Sequence, residues 1–329
     1  MDIDYYKKYI KYKTKYIELI NNNQAGGAKN KHSDNVGKIM EGKIKFIEFS
    51  FDKIHKLNTI DKENINLTSE FLIGSITKIF TAISILILHQ KKKLNINDKI
   101  SKYINSNNKN DISKIRIIDC LNHKAGFIHM ETRGKKNIKN FKMFKTFSCV
   151  NILKKLFNYR LIQYKLGEFN YSDYGYIVLG AIIENVSHKS SYLDVFNDLI
   201  FKKLKMKNTS VGDTNITLYN YGGTKINNKQ YLERYVTATS GSLYSTMKDF
   251  MIFSMNINKL LNKQTIKLFE KLYFYSKDAY DDTHTLHHTG EIFGGLSKWW
   301  VKYNKDWKFQ KILLIKFQTG GTSPMEYYI

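Results

Sequence analysis

The chain has few of the residues that cross-link or interrupt a fold: of its 329 residues, one is proline and two are cysteine. The two cysteines, Cys120 and Cys149, do not make the disulfide framework of a small secreted domain. No apolar run approaches the roughly 20 residues of a membrane-spanning helix, and the first residues lack the apolar core of a signal peptide. These absences predict a protein without a membrane span or secretion signal, which stays inside a cell or particle.

Arginine is also scarce, because only four of the 53 basic residues are arginine although the formal charge is +24. Recognition of phosphates and bases favours the planar fork of arginine over the point charge of lysine. The chain is also crowded with Ile, Asn and Tyr, which indicates a coding bias that raises lysine everywhere. Nucleic acid is therefore not the favoured partner, and any such binding would weaken steeply with salt.

Residues 1–35 differ from the rest of the chain. Aromatic residues recur there at helical spacing and are followed by a polar linker that contains Gly26 and Gly27. The aromatic seam consists of Tyr5, Tyr9, Tyr12 and Tyr16. We expect an amphipathic helix and a Gly/Asn linker ahead of one domain, residues 36–329. The helix and paired glycines resemble an N-terminal leader of large DNA virus proteins, which implies a viral protein and a virion-associated alternative location.

Strand patterns lie near both ends of the domain, and helical patterns lie between them. Residues 43–49, 298–303 and 308–318 have strand patterns, whereas helical patterns fill about 95–235. With 42% hydrophobic residues the chain can bury a substantial core. We predict an α/β (α+β) fold, in which an antiparallel sheet built from both chain ends is flanked by helices and accompanied by a helical subdomain.

A serine followed three residues later by a lysine occurs four times, so the spacing alone identifies no site. Only Ser75 follows a glycine and precedes a long helix that is apolar nearly all round, as a central helix is, whereas Ser245 fits a helix N-cap. At the first turn, the Ser75 oxygen would lie in the positive field of the helix N-terminus with Lys78 on the same face. Burial should lower the pKa of Lys78 and make it a base for Ser75. The alternative is an N-cap serine beside a snorkelling lysine.

A second polar triplet, Tyr171-Ser-Asp173, directly precedes a helical pattern over residues 174–186. A phenol and a carboxylate in a turn at this point could relay a proton and hold Lys78. The alternative is that Asp173 only caps the helix.

A third triplet, His288-Thr289-Gly290, precedes a strand pattern. A hydroxyl and a cation-capable ring beside a bare glycine would let a substrate lie along a strand edge. The same region contains His284 and His287, which would be one turn apart in a helix and would then suggest a zinc site. The spacing typical of metallo-hydrolases is absent, so zinc is the weaker interpretation.

The three triplets in this order resemble the signature of the serine β-lactamase and penicillin-binding protein superfamily, and the chain is most similar to its class C-like branch. The resemblance extends over residues 45–318 and includes the segments 72–82, 115–126 and 169–176. It implies a β-lactamase/transpeptidase-like fold without a cofactor or metal. His123 lies in a loop where family members carry a histidine away from the chemistry, which implies a structural role.

The resemblance also implies a role for each site residue. Ser75 would be the acylated nucleophile, Lys78 its base or proton relay, and Tyr171 the general base and acid that passes the proton to the leaving group. Asp173 would contact the substrate and Lys78. The remaining substrate-side residues would be His288, Thr289 and Gly290, and the oxyanion hole would consist of the backbone amides of Ser75 and Glu291.

Three departures from the family pattern change the expected chemistry. Asp173 replaces an asparagine, as in esterase-like members; His288 replaces a lysine that helps to hold a substrate carboxylate; and Glu291 places a negative charge where small residues are usual. We therefore predict a serine hydrolase for a small-molecule or peptide acyl substrate, an esterase or peptidase rather than a β-lactamase, with β-lactams as a further substrate class. The alternative is a catalytically inactive binding or structural protein on the same fold.

Overall fold

The structure is a computed structural model that describes most of the predicted domain. The described residues are 44–52, 57–60, 67–68, 70–106, 111–129, 148–211, 218–219, 225–226, 237–278, 283–292 and 295–319. The predicted leader and linker, residues 1–35, lie outside these ranges. Their separation from a domain at 36–329 therefore stays a prediction.

The main sheet is antiparallel and unites both ends of the described chain. Its strands are β1 (Ile44–Asp52), β2 (Leu57–Ile60), β7 (Phe274–Asp278), β8 (Thr283–Ile292), β9 (Gly295–Tyr303) and β10 (Phe309–Thr319). They lie in the order β2-β1-β10-β9-β8-β7. The first strand in the chain, β1, pairs along its whole length with the last, β10, from Ile44 opposite Thr319 to Asp52 opposite Lys311. The predicted sheet from both chain ends is confirmed.

Two short strand pairs lie outside this sheet. β3 (Phe71–Leu72) pairs with β6 (Tyr244–Ser245), and β4 (Leu218–Tyr219) pairs with β5 (Lys225–Ile226).

Helices occupy much of the chain between the two ends of the sheet, as predicted. They are α1 (Thr77–Gln90), α2 (Ile117–Leu121), α3 (Cys149–Leu156), α4 (Asp173–Ser187), α5 (Tyr192–Phe196), α6 (Lys202–Leu204), α7 (Met247–Leu260) and α8 (Lys263–Tyr273). A single π-helical turn, Asn197–Phe201, joins α5 to α6. Within the described ranges, none of these helices combines the length and apolarity of a membrane span.

The centre of the molecule is formed by α1 and α4, whose apolar residues cover all sides of each helix. Residues 77–88 of α1 and 174–184 of α4 are all buried. The 3₁₀ turn Ala238–Ser240 is tied to both helices, because the Thr81 hydroxyl donates to the Thr239 carbonyl at 2.7 Å and the Thr239 hydroxyl donates to the Tyr176 carbonyl at 2.8 Å. Three segments distant in sequence are thus held together, and each contributes an atom to the site below.

The sheet packs on α7 through large side chains of β9. The Trp299 Nε1–H donates to the Ser254 hydroxyl at 2.9 Å, and the Tyr303 hydroxyl donates to the Ser254 carbonyl at 2.7 Å. The N-cap of α7 is Thr246, whose side chain accepts from the Asp249 amide at 3.2 Å. The expectation that Ser245 caps this helix is wrong by one residue, because Ser245 is still paired in β6.

Candidate active site

Ser75 lies in a 3₁₀ turn, Gly74–Ile76, that leads directly into α1. Gly74 has a φ of 51°, a left-handed conformation that side chains disfavour, so a glycine suits the turn. The N-cap of α1 is Ile76 and makes no side-chain capping bond. The alternative that Ser75 merely caps the helix is therefore wrong. Its oxygen instead accepts a hydrogen bond from Lys78 Nζ at 3.0 Å.

Lys78 is fully buried, and its amine contacts oxygen atoms from three separate segments of the chain. Nζ lies 3.0 Å from the Ser75 hydroxyl oxygen, 2.7 Å from Asp173 Oδ1 and 2.9 Å from the Ser240 carbonyl. An ammonium group has three donors and no acceptor. These contacts suit the protonated form of Lys78 and join α1, α4 and the turn at Ser240.

The charge state of this pair differs from the expectation. Burial alone would lower the pKa of Lys78, but the Asp173 carboxylate and Tyr171 outweigh it and hold that pKa above its ordinary value. Burial alone would raise the pKa of Asp173, but Lys78 outweighs it and holds that pKa below its ordinary value. The expectation of a lowered lysine pKa is wrong because it took no account of a carboxylate in contact. The resting site contains an ion pair.

Asp173 is the first residue of α4, yet Ser172 rather than Asp173 caps the helix. The Ser172 side chain accepts from the Gly175 amide at 3.4 Å and donates to the Ile128 carbonyl at 2.8 Å. The carboxylate of Asp173 is thereby available for Lys78, and the capping alternative for Asp173 is wrong.

Tyr171 lies in the segment directly before α4, which places its ring against Lys78. Its ring centre lies 4.7 Å from Lys78 Nζ. The opposing segment contributes His123, which stacks on Tyr171 at 4.4 Å between ring centres and accepts from the Ser172 amide at 3.1 Å. Burial, together with the charge of Lys78, lowers the pKa of His123 to about 3, so its ring is neutral at neutral pH. His123 thus supports the Tyr171 ring directly.

His129 is a neighbour of the ion pair that the sequence analysis missed. Its Nε2 lies 3.6 Å from Asp173 Oδ2, and its ring centre lies 5.5 Å from that of Tyr171. The side chain is 24% exposed. A single histidine carries no motif, so nothing in the sequence indicated this contact.

Gly290 brings β8 against the turn that holds Ser75. A Cβ atom at this position would lie 1.9 Å from the Ile73 carbonyl oxygen and 3.1 Å from the Ser75 nitrogen, so only glycine permits the approach. β7 pairs with β8 only up to Leu286, which leaves the backbone at 287–292 as an edge on that side in the described part of the chain. The backbone of Glu291, opposite Leu296 of β9, belongs to this edge.

The other two residues of the His288-Thr289-Gly290 triplet, His288 and Thr289, lie on opposite faces of β8. Burial and the charge of Lys78 lower the pKa of His288 to about 4, and its Nδ1 contacts the Thr289 carbonyl. His288 is therefore a neutral ring at neutral pH rather than a cation. Thr289 is exposed, and strand alternation directs its side chain to the opposite face from His288.

The zinc interpretation fails on geometry, because His284 and His287 lie in strand β8 rather than in a helix. Residues three apart in a strand point to opposite faces. His284 instead contacts Glu270 at 2.9 Å and stacks on Trp307. The described residues contain no group of three or more His, Cys, Asp or Glu side chains placed to hold a metal.

Comparison with known proteins gives a family match over most of the chain. The sequence model of the family described as Beta-lactamase matches residues 61–301. Protein flp of Staphylococcus aureus (strain MW2) is 33% identical over 153 residues, which cover 45% of this chain and 29% of that protein. A teichoic acid D-alanine hydrolase of Staphylococcus aureus is 28% identical over 229 residues, which cover 63% of this chain and 54% of that protein. The chain therefore spans less than two thirds of the length of either relative.

Solved structures give the same fold at lower identity. D-amino acid amidase from Ochrobactrum anthropi SV3, in complex with L-phenylalanine amide, superposes with a TM-score of 0.69 at 17% identity and covers 90% of this chain and 91% of that one. FmtA from Staphylococcus aureus gives a TM-score of 0.63 at 21% identity, with 95% and 93% covered. At these identities the likeness establishes the fold.

Proposed function

Because the chain belongs to the β-lactamase family, we propose that it is a serine hydrolase that forms an acyl-enzyme at Ser75. The observation that carries the proposal is the buried contact of Lys78 Nζ with both the Ser75 oxygen and Asp173. A buried ion pair in contact with a hydroxyl at the mouth of a central helix is costly to build, and such perturbed groups concentrate at functional sites.

In this mechanism the Ser75 oxygen attacks the acyl carbon of the substrate. Lys78, held as an ammonium, stabilises negative charge on that oxygen but has no lone pair with which to accept its proton. Tyr171, whose ring lies beside the Lys78 ammonium, would accept this proton as a phenolate and then, as a phenol, pass it to the leaving group. Water afterwards hydrolyses the Ser75 ester and returns the free hydroxyl.

The oxyanion of each tetrahedral intermediate would be stabilised by the backbone amides of Ser75 and Glu291. The close approach of Gly290 to the Ser75 nitrogen supports this assignment, because it sets the two backbone segments side by side. His288, which is neutral, does not provide a fixed cation for a substrate carboxylate. This favours uncharged or cationic acyl substrates over the anionic substrates of β-lactamases and transpeptidases.

Within the serine hydrolases, we place the protein among esterases and peptidases that act on D-aminoacyl esters or amides. Support comes from the relatives, which include a teichoic acid D-alanine hydrolase and a D-amino acid amidase by name. A D-aminoacyl group carries an ammonium rather than a carboxylate beside the reacting carbonyl, which suits a site without a fixed free cation. β-Lactams are the secondary substrate class. The place of action inside a cell or virion stays a prediction from the N-terminal sequence.

Turnover of matched D- and L-alanyl esters and amides tests this proposal. We expect hydrolysis of the D-alanyl ester by the wild type and none by Ser75→Ala. Ser84→Ala is the control, because Ser84 lies in the same helix and its hydroxyl only donates to the Phe80 carbonyl. Equal turnover by Ser75→Ala would refute the nucleophile, and no turnover of any ester or amide by folded wild type would favour the inactive binding protein.

A further inference from the structure

The carboxylate of Asp173 has two oxygens, and the site engages them differently. Oδ1 lies 2.7 Å from Lys78 Nζ, whereas Oδ2 faces His129 Nε2 at 3.6 Å. Asp173 is 13% exposed and Lys78 is not exposed at all, so His129 covers the side of the carboxylate nearer to solvent. An asparagine here would present either its oxygen or its NH₂ group to His129, and its other group to Lys78.

We propose that His129 is a positioning residue that holds the Oδ2 oxygen of Asp173, so that Oδ1 stays on Lys78. The inference deepens the proposed function and rests on it for its kinetic readout. It gives a reason for an aspartate in this site: a carboxylate can face a positive or N–H-bearing group on each side, and Lys78 bonds to Oδ1 while His129 lies within ion-pair distance of Oδ2.

Neighbouring groups determine which form of His129 can perform this role. Asp173 faces His129 from α4, and Tyr171 lies beside it at 5.5 Å between ring centres. Lys78 faces Asp173 from α1, while His123 and His288 are kept neutral by burial, which lowers the pKa of each. With Nε2 protonated, His129 presents an N–H towards Oδ2, 3.6 Å away, in either its neutral or its cationic form, so its role does not require a change of charge.

The contact also has an electrostatic consequence for Asp173. Although burial opposes it, Lys78 and, to a smaller extent, His129 lower the pKa of Asp173. Loss of His129 should therefore raise the pKa of Asp173. The carboxylate would then become protonated at a higher pH, and the acidic limb of any Ser75 reactivity profile would move to higher pH. A merely structural role for His129 would not move that limb.

A double-mutant cycle tests the proposal. The rate of Ser75 modification by a fluorophosphonate probe is measured against pH for the wild type, His129→Ala, Asp173→Asn and the double variant. We expect His129→Ala to slow modification about fivefold when Asp173 is present, the size of a favourable partly exposed pair, and to change it little in the Asp173→Asn background. His129→Gln, which keeps an N–H donor on a side chain of similar length, should recover most of the rate.

Controls separate this inference from the proposed function. His89→Ala, at the far end of α1, should leave the rate unchanged. Equal slowing by His129→Ala in both backgrounds, or no slowing and no shift of the acidic limb, would overturn the proposal. If wild-type Ser75 does not react at all, the proposed function fails. The free energies of unfolding of the same four proteins are then measured in urea, and the coupling energy between His129 and Asp173 still decides the positioning role.

Discussion

Replacement of Asp173 by asparagine removes the charge that keeps Lys78 protonated. Lys78 Nζ and Asp173 Oδ1 are 2.7 Å apart, with side-chain exposures of 0% and 13%. Removal of one partner from a buried ion pair costs about 3–5 kcal/mol because the other charge is left uncompensated. Without Asp173, burial is the largest remaining influence on Lys78 and lowers its pKa below the ordinary value. Lys78 can then escape the cost by releasing its proton.

The change in the pKa of Lys78 determines whether stability rises or falls with pH. In the wild type, the raised pKa of Lys78 contributes stability that is present below the ordinary lysine value of 10.5 and is lost as the pH rises through the folded-state pKa. In Asp173→Asn, the folded state binds fewer protons at Lys78 than the unfolded state, so stability increases with pH up to that ordinary value. The variant should therefore be most destabilised at acidic pH.

Urea unfolding of both proteins at several pH values between about 5 and 9 measures this difference. We expect the gap in unfolding free energy between wild type and Asp173→Asn to narrow as the pH rises. In parallel, the pH dependence of Ser75 modification in the variant should follow the deprotonation of Lys78, because a neutral Lys78 is a base, whereas the acidic limb of the wild type follows the protonation of Asp173. A gap that is constant with pH, or identical pH–rate profiles, would refute the assignment of Lys78 as an ammonium.

Two further predictions concern residues that support the site. Gly290→Ala should slow Ser75 modification at least about tenfold and destabilise the fold by about 1–3 kcal/mol, because its Cβ would lie 1.9 Å from the Ile73 oxygen. The control is Gly175→Ala, whose Cβ would have its nearest contact at 3.7 Å, and equal behaviour of the two variants would contradict the close approach at Gly290. Glu184→Gln should lower the unfolding free energy by about 1–3 kcal/mol in urea, because the buried Glu184 carboxylate accepts from two amides at the start of α3, at 2.7 and 2.9 Å; an unchanged midpoint would show that it does not hold α3.

Much of the fold could be predicted from the sequence because the signals were local. Strand patterns at 43–49 and 308–318 correspond to β1 and β10, and the apolar run after Ser75 is the buried helix α1. That strands from both chain ends share one sheet followed from the strand patterns at both ends of the domain, with helical patterns between them. The alternative that Asp173 caps α4 differs from the observed cap, Ser172, by one residue, because serine and aspartate are equally good N-caps and tertiary contacts decide between them.

The residues of the site could be predicted from the sequence, but their charge states could not. Ser75, Lys78, Tyr171 and Asp173 were named from motifs, and the structure brings them together. The direction of the Lys78 pKa depended on a contact with Asp173 that is distant in sequence, so burial alone gave the wrong sign. His129 had no motif and is found only from its distance to Asp173.

The central claim is that Ser75 is an activated nucleophile, and intact mass after incubation with a fluorophosphonate probe tests it most directly. Wild type and Ser84→Ala should each gain the mass of one probe molecule, whereas Ser75→Ala should gain none. Modification of Ser75→Ala to the same extent would contradict the account, as would folded wild type that stays unmodified by both this probe and a small activated ester.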